Sequence, residues 1–72
     1  MNKTLDCRAQ QCPMPIVELS IAVRDMRPGE CVVVEATDPA FELDVRAWAE
    51  MTGHLLQQLE TGEVLRATIL VR

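Results

Sequence analysis

Backbone breakers recur so closely along this chain that every element must be short, and their positions divide it into six. Pro13 and Pro15, Pro28-Gly29, Asp38-Pro39, Gly53 and Thr61-Gly62 are the dividers. Proline lacks a backbone donor and stops a helix or central strand, whereas glycine suits turns and helix ends. Residues 3–8 read as a short strand. After Pro15, apolar Ile16, Leu19, Val23 and Met26 recur at helical steps to about Arg27, with Val17 and Ile21 widening the stripe. Glu18, Arg24 and Asp25 fall largely on the other side. Pro28-Gly29 ends this helix.

The β-branched run at 31–37 reads as a strand with Val32, Val34 and Ala36 on one face and Cys31, Val33 and Glu35 on the other. Asp38 as N-cap and Pro39 at the first helical position open a second helix. Its buried stripe is Phe41, Val45, Trp48 and Ala49, Met51 or Thr52 lies at its edge, and Gly53 caps it. Residues Leu55–Glu60 form a third strand. Thr61-Gly62 turns the chain into a fourth at 63–71, with Leu65, Ala67, Ile69 and Val71 on one face. The expected fold is α+β, a two-layer βαβαββ sandwich with both helices on one face of a four-stranded mixed sheet. At 72 residues the chain 1–72 is expected to be one domain. Val33, Val64 and Leu70 are placed on the open sheet face.

Charge and composition narrow the function. The net charge is −4, and the seven basic residues form no run. That balance argues against direct nucleic-acid binding and favours basic protein partners. Aromatics are limited to Phe41 and Trp48, so a stacking platform for bases is hard to assemble. No stretch approaches membrane-spanning length and the N-terminus carries no signal-peptide core, which points to the cytoplasm and no membrane insertion. In that compartment the three cysteines read as free thiols.

The segment with chemistry in it is Cys12-Pro13-Met14-Pro15. Pro13 and Pro15 fix the backbone where the first helix begins. A cysteine just ahead of that turn meets the positive end of the helix dipole and unpaired N–H groups, which stabilise a thiolate. The opposing reading is a small apolar residue tucked beneath the helix. Flanking prolines and glutamines leave Cys12 no clear place in the apolar stripe, and from the local pattern both readings stand.

With those motifs in view, the chain resembles the TusA/SirA family of small sulfur-transfer proteins. The resemblance rests on Leu5-Asp6, Cys12-Pro13-Met14-Pro15, Pro28-Gly29, Asp38-Pro39, Asp44-Val45, Trp48 and Thr52-Gly53-His54. It implies the βαβαββ fold and a persulfide on Cys12. It also implies a cysteine desulfurase or rhodanese-type sulfur donor and a downstream relay acceptor, serving tRNA thiolation, cofactor synthesis or sulfur oxidation. The family usually has Gly-Leu where this chain has Ala9-Gln10, so the loop presenting Cys12 is expected to differ.

Other residues carry paired readings. Cys7 is either a second thiol of the relay or a strand residue without chemistry. Arg8 and Gln11 either shape the anionic site or are plain solvated loop residues. Cys31 reads as structural, and Trp48 as core. His54 reads as a ring bonded to backbone rather than a general base. With no Cys-x-x-Cys pair, no metal site is expected, and no cofactor is called for. Two rival functions are a thiosulfate-handling sulfurtransferase beside a transporter and a regulatory or nucleic-acid-binding module.

Overall fold

The computed structural model describes residues 3–8 and 14–72. The elements are β1 (Lys3–Cys7), α1 (Met14–Arg24), β2 (Cys31–Ala36), α2 (Phe41–Thr52), β3 (Leu55–Glu60) and β4 (Leu65–Leu70). They build a four-stranded sheet in the order β1-β2-β4-β3. β1 pairs parallel to β2, with Leu5 opposite Val34 and Cys7 opposite Ala36. β4 runs antiparallel to β2 on one side and to β3 on the other. The first three strands therefore point one way and β4 is inserted against them. Each helix carries the chain back between strands of the same sense, so both helices begin at the same end of the sheet.

Alternation along the central strands decides which face is covered. Val32, Val34 and Ala36 of β2 and Leu65, Ala67 and Ile69 of β4 are all buried, and they face one another in register. Ile69 opposes Val32, and in the next two pairs a large residue meets a small one: Ala67 opposes Val34 and Leu65 opposes Ala36. α1 lays Pro15, Leu19 and Ala22 on this face, and α2 lays Phe41, Val45, Trp48 and Ala49. In β3, Leu56 and Leu59 both pack against the core although they are three residues apart. Strict alternation would put them on opposite faces. A register shift between Leu56 and Gln58 inserts one extra residue and restores both to the core side.

Polar contacts then fix the helices. The indole Nε1 of Trp48 donates to Ser20 Oγ at 2.9 Å, joining α2 to α1. Gly53 takes φ 81° and donates to the Ala49 carbonyl at 3.0 Å, the left-handed cap expected of it. Gly29, at φ 96°, donates to the Val71 carbonyl at 2.8 Å, and Val71 returns a bond to Glu30 O at 2.8 Å. The turn between α1 and β2 is thereby stitched to the chain's last residues.

Several sequence expectations are corrected. α1 ends at Arg24 rather than near Arg27. Asp25 and Met26 bond back three residues, to Ala22 and Val23, because Pro28 disfavours helical geometry just before it and the last turn tightens. Val17 and Ile21 do not widen the buried stripe; they are 41% and 56% exposed. Among the described residues α1 is covered by the sheet beneath and α2 beside it, and its outer arc is exposed. β1 stops at Cys7 and β2 at Ala36. β4 starts at Leu65, leaving Val64 exposed in the preceding turn rather than on the open face. The regular α2 helix starts at Phe41, and Asp38 caps a tighter leading turn. Its carboxylate accepts from Ala40 N–H at 2.9 Å and its carbonyl from Phe41 N–H at 3.0 Å.

Phe41 is wholly buried where α2 meets the sheet, whereas Leu43, two residues on, is 75% exposed. Truncating Phe41 to Ala should cost about 3–5 kcal/mol in urea denaturation, a large share of what so small a domain has. Leu43→Ala should stay within about 0.5 kcal/mol of the parent.

Candidate functional site

Cys12, Pro13 and Gln11 lie outside the described residues, in the segment 9–13 that joins β1 to α1. Its two described flanks are well defined. On the far side stand Met14, exposed at the first position of α1, and Pro15, whose ring is fully buried. Proline is tolerated here because the first helical N–H groups have no intrahelical partner. No carboxylate occupies the first turn of α1, in contrast to α2, which carries Glu42 and Asp44 there. The positive end of α1 is therefore not offset by acid in its own first turn. Met14, Val17 and Ile21 are exposed along the outer arc of α1.

On the near side, Cys7 closes β1 with no solvent exposure. Its Sγ donates to Glu18 Oε2 at 3.3 Å, across from the second turn of α1. Burial, and then the Glu18 carboxylate, push the thiol up to about 11. At neutral pH Cys7 is a protonated core thiol, and only a thiolate attacks sulfur. Cys31 sits half-buried on the open sheet face, its Sγ 3.8 Å from Gln57 Oε1.

Arg8 is the last described residue before the segment. Its guanidinium forks onto the Asp6 carboxylate, with Nε 2.8 Å from Oδ1 and a terminal nitrogen 2.9 Å from Oδ2. Its backbone N–H also donates to Asp6 Oδ1, at 3.2 Å. These bonds hold the Asp6 carboxyl down at about 2. The Arg8 carbonyl accepts the hydroxyl of Thr37, just beyond β2. The cation of Arg8 is thus committed to Asp6.

Sequence reasoning singled out Arg8 and Cys7 but not Asp6, Glu18 or Thr37 as their partners. A signal for Asp6 existed, since an aspartate carboxylate commonly accepts from the backbone N–H two residues on. For Thr37 none did, because 29 residues separate it from Arg8.

His54 behaves as expected: its Nδ1 accepts Arg72 N–H at 3.1 Å, and its ring lies 5.4 Å from that of Trp48. It borders a groove of about 470 Å³ with Arg46, Ala49, Glu50, Leu55 and Leu56, at the end of the sheet away from the helix N-termini. Among the described residues no cluster of three or more His, Cys, Asp or Glu is arranged to hold a metal ion. No described helix is long and apolar enough to cross a membrane.

Fold and flanks together define a class: a small two-layer α+β fold in whose sequence a Cys-Pro-x-Pro motif runs into the first helix, its last two residues opening α1. The family model described as Sulfurtransferase TusA matches residues 3–71. Among similar proteins, YrkI of Bacillus subtilis (strain 168) is 38% identical over 66 residues, covering 90% of this chain and 88% of the relative. The sulfur carrier protein TusA of Pseudomonas paraeruginosa is 40% identical over 67 residues, covering 90% and 85%. A relative in Aquifex aeolicus is longer: 39% identity over 59 residues covers 82% of this chain but 30% of that protein. The chain belongs to the TusA family of sulfur carrier proteins.

The Cys7 environment has a consequence for pH. The folded state holds a proton that the unfolded chain releases near 9.0, so this contribution is whole below pH 9 and is lost as pH rises through about 11. Thermal unfolding of wild type and Cys7→Ala across pH 8–11 should show a steeper alkaline decline in the wild type. Glu18→Gln should bring the Cys7 thiol down and shrink that difference.

Proposed function

We propose that this protein carries sulfane sulfur as a persulfide on Cys12 and hands it to an acceptor protein in a sulfur relay. The observation that carries this reading is the Cys12-Pro13-Met14-Pro15 segment running into α1, whose second residue is locked in the core and whose first turn lacks a carboxylate. Such a helix start favours anionic sulfur. Family membership supports the cargo. Cys7 is held protonated, which leaves Cys12 as the stronger candidate nucleophile of the two.

The chemistry is two exchanges without net redox change. The Cys12 thiolate attacks the outer sulfur of a donor persulfide. The donor's S–S bond breaks, and its electron pair leaves with the donor cysteine as thiolate. In discharge, an acceptor thiolate attacks the outer sulfur on Cys12, and Cys12 departs as thiolate. A low-pKa sulfur serves both as attacking group and as leaving group.

The donor is a cysteine desulfurase or a rhodanese-type protein, and the acceptor a downstream relay protein in the cytoplasm. tRNA thiolation, cofactor synthesis and sulfur oxidation are the pathways that consume such sulfur. Each partner must bring its own sulfur to Cys12 and so covers the start of α1, where Met14 and Val17 are exposed.

Intact-protein mass spectrometry after incubation with a desulfurase or rhodanese and its substrate tests this. The wild type should gain the mass of one sulfur atom, removable by reductant. Cys12→Ser should gain none, and Cys31→Ser should load like the parent. Loading that survives Cys12→Ser would overturn the assignment.

A further inference from the structure

We propose that a second copy of this chain docks on the free edge of β1. The two strands pair antiparallel about a two-fold axis at Leu5, so that Lys3 of each copy meets Glu18 of the other. This pairing is independent of the sulfur-carrier reading above.

β1 is an outermost strand of the sheet, and its one strand partner among the described residues is β2. A strand so placed leaves backbone N–H and C=O groups on its outer side without a ladder, which is a template for another strand. The opposite edge, β3, is interrupted by the extra residue between Leu56 and Gln58, a feature that discourages pairing. β1 instead runs in unbroken register with β2 from Lys3 to Cys7 and holds no proline or glycine. Of the two edges, β1 is the one fit to be extended.

Beside this edge lies a groove of about 260 Å³, lined by Lys3 and Leu5 of β1 and by Glu18, Ile21 and Ala22 of α1. Ser20, on the other flank of α1, is bonded to Trp48 of α2. Glu18, two residues earlier, points about 200° away from it around the helix, over β1. There its Oε2 accepts from Cys7 Sγ at 3.3 Å. The middle of the groove is apolar, and its two charges are of opposite sign at opposite ends. Lys3 begins β1, and Glu18 stands over the last residue of that strand. Four strand steps separate them, about 13 Å. Neither is ion-paired with any described residue.

Antiparallel pairing centred on Leu5 sets Lys3 of one copy opposite Cys7 of the other, and Thr4 opposite Asp6. Lys3, Leu5 and Cys7 share the helix side of the strand, so the lysine ammonium arrives at Glu18 of the second copy. The two-fold axis repeats this ion pair at the other end. Between the pairs, Leu5 meets Leu5 of the second copy, with the exposed Ile21 of each α1 beside them. No like charges oppose one another in this register. A slip of one residue sets helix-side residues opposite open-face ones, and a slip of two parts each lysine from its carboxylate. A lysine on an edge strand ordinarily deters pairing. Here the same edge carries the acid that answers it. A surface that complements itself is what a two-fold interface requires, and it names the occupant.

Sedimentation equilibrium of the full-length protein under reductant, over a concentration series reaching millimolar, reads the association directly. Two five-residue strands make a small interface, so the wild type should pass from monomer to dimer mass within that series. Lys3→Glu and Glu18→Lys should each raise the dimer dissociation constant about tenfold or more, since each brings like charges together twice. Mixed in equal amounts, the two variants should dimerise with each other. The introduced charges then meet one another, and so do the native ones. Ile21→Asp leaves the Cys7 contact intact and should also weaken the dimer, whereas Leu43→Asp, on exposed α2 surface, should not.

A wild type that stays monomeric to millimolar concentration overturns the proposal. So does a dimer that persists unchanged in Lys3→Glu and Ile21→Asp, a result that stands even if Glu18→Lys fails to fold by circular dichroism. With both charge variants folded, a mixture that associates no better than either alone overturns it too. Equal loss in Leu43→Asp would mean association through another surface.

Discussion

The parallel pairing of β1 with β2 is the constraint from which the rest of the arrangement follows. Parallel neighbours cannot be joined by a tight turn, so the chain must cross over the sheet between them, and α1 is that crossover. The same sense holds from β2 to β3, which makes α2 a second crossover past the intervening β4. Both helices then start at one end of the sheet. The chain leaves β1 and enters α1 at that end. A chain that paired β1 and β2 as a hairpin would have no helix N-terminus there.

Burial makes this pairing stable. A chain of 72 residues hides a modest fraction of its surface on folding, so little apolar area can be spared. The two central strands, β2 and β4, supply six buried side chains that face one another across the ladder, and Phe41, Leu19, Val45 and Trp48 close over them. No polar or charged residue among those described is buried in this core. Polar contacts are placed at its margins instead, as between Trp48 and Ser20 or Cys7 and Glu18. The surface ion pair of Asp6 and Arg8 adds little stability in water. Its value is geometric, because it fixes how the chain leaves β1.

Cys7, one of two cysteines five residues apart, shows how environment sets the state of a thiol. Cys7 ends a strand inside the core and shares its proton with a carboxylate, both of which disfavour the thiolate. Cys12 belongs by sequence to a segment entering a helix whose first turn carries no acid. The carrier role proposed for Cys12 calls on no histidine, since a helix start can supply positive potential through backbone N–H groups. The lone histidine, His54, is engaged with Trp48 and the backbone of Arg72.

What the sequence determined by itself is what depends on neighbours along the chain. Breakers placed the six elements, periodicity assigned Leu19, Val34, Phe41, Val45 and Ile69 to the core, and Gly53 announced a left-handed cap. The Cys-Pro-x-Pro segment marked a helix start, and Pro15 sits there. Only the tertiary structure decided what depends on distant partners. It showed that Val17 and Ile21 are exposed, because among the described residues nothing packs beyond α1. It inserted an extra residue in β3 so that Leu56 and Leu59 share a face. It also brought Glu18 to Cys7 and Thr37 to Arg8 across 11 and 29 residues of chain. Local patterns record the preferences of a helix or strand, but which elements become neighbours is set by how their apolar faces close into one core.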